Sequence, residues 1–205
     1  MADEVRFRRH WDEQAASYER RAAYVERRFL REARAWVGER AHGEVLEIAA
    51  GTGLTFPLYG PGIRLTVAEW SEPMLTQARA KSTELGMPVR FEQADARRLP
   101  FADNSFDTVV CTYALCCIPE PELALAQAHR VLRAGGDLLL ADHVISTARP
   151  AVWVQRAIER FTRSTGEHLT RRPAALLPGL GFEIVESQRD RLGIIERVHA
   201  RPITD

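Results

Sequence analysis

Lysine is nearly absent from this chain of 205 residues: Lys81 stands alone, and every other cation is arginine. That bias weakens any argument built on one arginine. Formal net charge is also missing, since 28 basic side chains are matched by 28 acidic ones. The global field of a nucleic-acid binder is therefore not expected. Cysteine is sparse, and Cys111, Cys116 and Cys117 crowd into one stretch with neither a metal-ligand spacing nor a disulfide framework. No metal is expected, and the chain reads as cytoplasmic. Nothing has the succession of a signal peptide, no apolar anchor opens the chain, and no apolar run approaches the ~20 residues of a membrane span. Repeats and low-complexity tracts are missing too.

What is present fits one domain over residues 1–205, long enough to bury roughly 70% of its unfolded surface. Residues 1–40 form an N-terminal helical segment. From Arg6 to Gly38, Trp11, Ala15, Tyr18, Ala22, Val25 and Phe29 recur at helical spacing. A strand over Val45 to Ile48 then runs through Gly51 and Gly53 toward helix-compatible residues. Glycines there permit a tight turn and close approach of the main chain to a ligand. A dinucleotide would want a third small residue where Phe56 stands, and Glu47 would repel a phosphate but suit a cationic ammonium.

Strands and helices alternate thereafter, the pattern of a doubly wound α/β sheet. Strands are predicted at Arg64 to Glu69, Val89 to Gln93, Phe106 to Thr112 and Asp137 to Val144, with helices at Ser71 to Leu85 and Pro121 to Arg133. Two late strands, Phe182 to Arg189 and Ile194 to Arg201, suggest a closing antiparallel pair with one strand inserted beside the fifth, completing a Rossmann-like sheet of seven. Residues 146–180 would cover the strand ends. Within them, Pro150 to Phe161 is an amphipathic helix with Arg156, Arg160 and Arg163 as a basic stripe, and Arg172 to Leu180 a short helix.

Ligands of such sheets bind outside the carboxyl ends of the strands. Those ends carry Glu47, Glu69 with Trp70, Asp95 with Ala96, and Thr112 with Tyr113. Glu69 could accept two ribose hydroxyls, Trp70 lie against a base, and Asp95 accept from an exocyclic amine while the Ala96 amide donates. Leu46-Glu47-Ile48-Ala49-Ala50-Gly51-Thr52-Gly53, Glu69, Asp95-Ala96, Leu99-Pro100-Phe101, Phe106-Asp107 and Arg130 to Gly136 together resemble the class I S-adenosylmethionine-dependent methyltransferases over most of residues 11–145.

By that resemblance Ala49, Ala50, Gly51, Thr52 and Gly53 cradle the methionine portion of S-adenosyl-L-methionine, Glu69 the ribose, and Asp95 and Ala96 the adenine. Met74, Thr112 and Tyr113 complete the cofactor set, Tyr18 closes over it, and S-adenosyl-L-homocysteine is the product. Ala49 replaces a usual glycine and should fit if its φ is negative. His143 and His168 are the candidate bases. Cys111 to Cys117, Asp142 to Val144 and His168 to Arg171 are similar to stretches of methyltransferase-like thiol methyltransferases and of small bacterial phosphatidylethanolamine N-methyltransferases. A thiol acceptor in an apolar pocket of Tyr113, Leu115, Ile118, Trp153 and Phe161 is the first expectation. Phospholipid N-methylation, with the basic helix contacting a membrane surface, is an alternative. Others are O- or N-methylation in specialised or quinone metabolism, and a non-catalytic cofactor-binding protein. Nucleic-acid methylation is disfavoured, because Thr112-Tyr113-Ala114-Leu115 differs from the Pro-Pro-aromatic sequence used on base amines.

Overall fold

The computed structural model describes residues 2–162 and 166–203, so Arg163 of the expected basic stripe lies outside the described residues. Seven strands form one sheet in the order β3-β2-β1-β4-β5-β7-β6. They are β1 (Glu44–Ile48), β2 (Arg64–Glu69), β3 (Val89–Gln93), β4 (Phe106–Thr112), β5 (Leu132–His143), β6 (Phe182–Asp190) and β7 (Ile195–Pro202). The first five run parallel, and β7 inserts antiparallel between β5 and β6. Strand order reverses between β1 and β4, which opens a crevice at their carboxyl ends. Both faces of the sheet are covered, as a parallel sheet requires. One cluster gathers Leu46, Val109, Leu125 and Leu138, and the other Val37, Val45, Val67 and Leu75.

The N-terminal segment departs from one continuous helix. It divides into α1 (Ala2–Ala15), α2 (Tyr18–Val25), a π-helical turn (Glu26–Leu30) and α3 (Arg31–Arg40). A π turn inserts an extra residue and rotates the following face by roughly one helical position. The expected apolar stripe is therefore cut: Ala15 is buried, but Val25 and Phe29 are exposed, and burial resumes on Leu30, Ala33, Arg34, Trp36 and Val37. Ser71 caps α4 (Glu72–Glu84) through the Met74 amide at 3.4 Å. Asp12 accepts from the Ser71 hydroxyl at 2.6 Å, and Lys81 pairs with Glu19, which docks α1 and α2 on α4.

Three further expectations are corrected. No α-helix follows the Gly51–Gly53 turn; only a 3-10 turn, Phe56–Leu58, precedes Gly60-Pro61-Gly62. Without a helix N-terminus here, the phosphate-binding half of a dinucleotide site is missing. Helix α5 (Pro121–Val131) stops early because β5 already pairs with Phe106 at Leu132. The stretch 172–180 holds two 3-10 turns in place of a helix, each with proline near its start. Helix α6 (Arg149–Thr162) follows β5.

Candidate functional site

A cleft opens outside the carboxyl ends of the strands. Its floor is the main chain leaving β1. Ala49, Gly51 and Gly53 all adopt positive φ, at 51°, 58° and 78°. Ala49 is thus strained where a negative φ was expected, and a left-handed conformation costs an L-residue roughly 1–2 kcal/mol. Replacing Ala49 with glycine will raise thermal stability by about 1 kcal/mol, readable as a higher Tm. An unchanged or lower Tm would mean that the turn relaxes in solution.

The two glycines serve different purposes. A Cβ on Gly51 would meet nothing within 4 Å, so its face is open to the cleft, whereas a Cβ on Gly53 would lie 2.5 Å from the Phe56 ring. Gly53 is required by packing and does not line the cleft.

Glu69, at the end of β2, accepts from the amides of Gly51 at 2.9 Å and Ser71 at 2.8 Å, and burial raises its pKa. Each oxygen keeps a lone pair for a ligand hydroxyl. Asp95 is held by Arg97 through its amide at 2.9 Å and its guanidinium at 2.8–3.1 Å. The same guanidinium lies 5.7 Å from the Trp70 ring centroid and bonds Glu120 at 2.8 Å. Any amine that donates to Asp95 shares it with this fork. Trp70, Met74, Ala96, Thr112 and Tyr113 also line the cleft, as do Ala49, Ala50 and Thr52. Tyr18 lines it from α2, its ring 6.3 Å from that of Trp11 and its hydroxyl pKa pushed up to about 12 by burial.

Besides Gly53, three expected cofactor or catalytic residues stand apart from the cleft lining. Glu47 is fully buried, accepts from the Tyr59 hydroxyl at 3.0 Å and has no partner for Oε1; burial raises its pKa to about 7. His143 packs its ring 4.9 Å from Tyr113, and burial lowers its pKa to about 4, so at neutral pH it is uncharged. His168 belongs to the cover, its Nδ1 3.4 Å from Glu159. Of the expected acceptor pocket, Ile118 lines the cleft with Tyr113, Leu115 is core, and Trp153 and Phe161 face solvent.

Arg34 was not foreseen. It lines the cleft at 4% exposure, with Nε 2.9 Å from Glu26, Nη1 2.5 Å from Thr112 and 3.4 Å from Thr55, and its guanidinium 4.7 Å from the Tyr113 ring centroid. The π turn that carries Glu26 places this pair. A ligand carboxylate would find a buried, pre-oriented cation here.

Cys116, Asp142 and His143 bring possible metal donors within 4.8 Å of one another. Asp142 already accepts the Cys116 amide at 3.0 Å and the His143 amide at 2.7 Å, which accounts for the cluster as a support for the turn after β4.

Residues 46–140 match the family model described as Methyltransferase domain. The chain is 40% identical over 128 residues to a phosphatidylethanolamine N-methyltransferase of Cereibacter sphaeroides, covering 62% of this chain and 63% of that protein. It is 35% identical over 135 residues to a thiol S-methyltransferase of Rattus norvegicus, covering 62% of this chain and 54% of the relative. The aligned stretches thus span less than two thirds of either relative. Its fold superposes on a crystal structure of a putative methyltransferase from Bacillus halodurans with a TM-score of 0.71 at 21% identity, covering 86% of this chain and 99% of the other.

Proposed function

We propose that this class I S-adenosylmethionine-dependent methyltransferase transfers its methyl group to a small apolar nucleophile, and that a thiol suits its cleft best. The cleft fits the cofactor: Glu69 and Asp95 stand at two strand ends, Gly51 leaves open space, and Arg34 offers a buried cation. The unpartnered Thr52 Oγ1 adds a polar atom at the same turn. Bound S-adenosylmethionine supplies a methyl on a sulfonium sulfur, an electrophile that needs no further activation.

The chain's task is then to bind, align and exclude water. Glu69 holds the ribose, Asp95 and the Ala96 amide the adenine, and Arg34 the carboxylate. Tyr18 and Trp11 close the mouth.

The observation that carries the acceptor class is the makeup of the remaining wall. Tyr18, Tyr113, Ala114, Cys117, Ile118 and Pro119 present apolar surface and phenols held protonated by burial, with His143 set off to the side. A nucleophile that ionises on its own, as a thiol with pKa ~8.5 does, suits such a wall. The rate with a cysteine-like thiol of pKa ~8.5 will therefore climb about tenfold per pH unit from roughly pH 6 to 8 and level above ~8.5. A rate already level across roughly pH 6 to 8 would instead assign a base on the protein, such as His143, which burial keeps uncharged there.

A second reading, methylation of the phosphatidylethanolamine amine, is favoured by the Cereibacter relative and by the outward face of α6. A panel of alkyl thiols, phenols and phosphatidylethanolamine with methyl-labelled cofactor separates them. Label on thiols supports the first reading, and label on the lipid alone replaces it. Cofactor binding without transfer to any acceptor would make the chain a binding protein.

A further inference from the structure

Helix α6 is built inside out. Its buried residues are polar: Gln155 is 5% exposed and Glu159 8%. Gln155 accepts from the Ser146 amide at 2.7 Å and donates to the carbonyls of Val144 at 2.8 Å and Leu169 at 3.2 Å. Glu159 accepts from the amide of Thr170 at 3.0 Å and its hydroxyl at 2.6 Å. Its large apolar residues point the other way: Trp153 is 73% exposed and Phe161 81%, with Val154 and Ile158 beside them at helical spacing. A helix on a globular surface normally turns such a stripe inward. Here hydrogen bonds hold the polar face inside and leave the apolar one without cover among the described residues.

The surroundings extend the same face. Leu192, in the β6–β7 turn, is exposed on a backbone with φ of 59°, and its carbonyl accepts from Ser146 and Thr147, just ahead of α6. Its neighbour Arg191 places its guanidinium 5.4 Å from the ring centroid of the exposed Phe29. Arg149, Arg156 and Arg160 are exposed on α6, while its one described acid, Glu159, is buried. An apolar stripe bordered by arginines, with no exposed acid on the helix, complements an anionic lipid surface.

We propose that α6 docks this protein on the surface of an anionic phospholipid bilayer, with Trp153, Val154, Ile158 and Phe161 in the headgroup and acyl boundary and the arginines among the phosphates. Docking leaves α6 at the carboxyl end of β5, the same end of the sheet as the cleft. The docking rests on α6 and its neighbours, independently of which acceptor is methylated.

Vesicle flotation tests it, using phosphatidylcholine alone and phosphatidylcholine with phosphatidylglycerol, at low and high salt. The intact chain will float with the anionic vesicles, more at low salt. Trp153→Ala and Phe161→Ala will each weaken partitioning about tenfold, equivalent to about 1.4 kcal/mol. Cofactor affinity by calorimetry and the thermal transition of both variants will match the parent, which separates loss of docking from loss of fold or cofactor site. Failure to float with anionic vesicles at low salt would overturn the proposal. So would a dimer, seen by sedimentation, that Phe161→Ala dissociates, because the face would then be a protein interface.

Discussion

Replacing Arg34 with methionine will destabilise the fold by about 3–5 kcal/mol, the usual penalty for removing one partner of a buried ion pair. It will also abolish cofactor binding in calorimetry. The size of the first effect follows from what the guanidinium holds. Glu26 lies 2.9 Å from Nε and is itself largely shielded from water, so it is left with a charge and no counterion. Thr112 and Thr55 lose a donor, and Tyr113 loses the cation against its ring. The second effect follows from position, because Arg34 is the buried cation among the residues that line the cleft.

The double substitution Arg34→Met with Glu26→Gln divides the two. Removing both charges will restore much of the stability, since the stranded carboxylate is gone. It will not restore cofactor affinity, because no cation faces the carboxylate. If the double variant binds as the parent does, Arg34 is a structural residue only.

How far the sequence could lead is visible element by element. Bounds for β2, β3 and β4 agree with the pattern because each is a short run punctuated by turn residues. The inserted β7 follows from two strands trailing a parallel core. That Glu69, Asp95 and the glycine turn would border one crevice was legible because strand ends of an open sheet converge there. Arg34 was not, because arginine is so common here that no single one stands out, and because the π turn that sets its phase leaves no periodic trace. Amphipathicity in α6 announces two faces without saying which is buried. That depends on Ser146, Leu169 and Thr170 supplying partners for Gln155 and Glu159, contacts between segments that spacing cannot reveal. For His143 the strand end was legible, but that its ring would pack 4.9 Å from that of Tyr113 without lining the cleft was not.

Glu69→Ala will lower affinity for S-adenosylmethionine by on the order of 1–3 kcal/mol, roughly 5- to 150-fold. A carboxylate that accepts from ribose hydroxyls would account for that loss, but so would collapse of the turn, because the same side chain bonds the Gly51 and Ser71 amides. The ligand distinguishes them. The parent will bind a 2′-deoxyribose analogue of the cofactor product more weakly than the product itself, because the analogue lacks a hydroxyl. The alanine variant will bind both with nearly equal affinity, since the group that sensed the hydroxyl is missing. A turn that merely loosened would weaken both ligands alike and preserve their ratio. The coupling between side chain and hydroxyl, read as a double-mutant cycle with one change on the ligand, therefore isolates the ribose contact from the structural role of the same carboxylate.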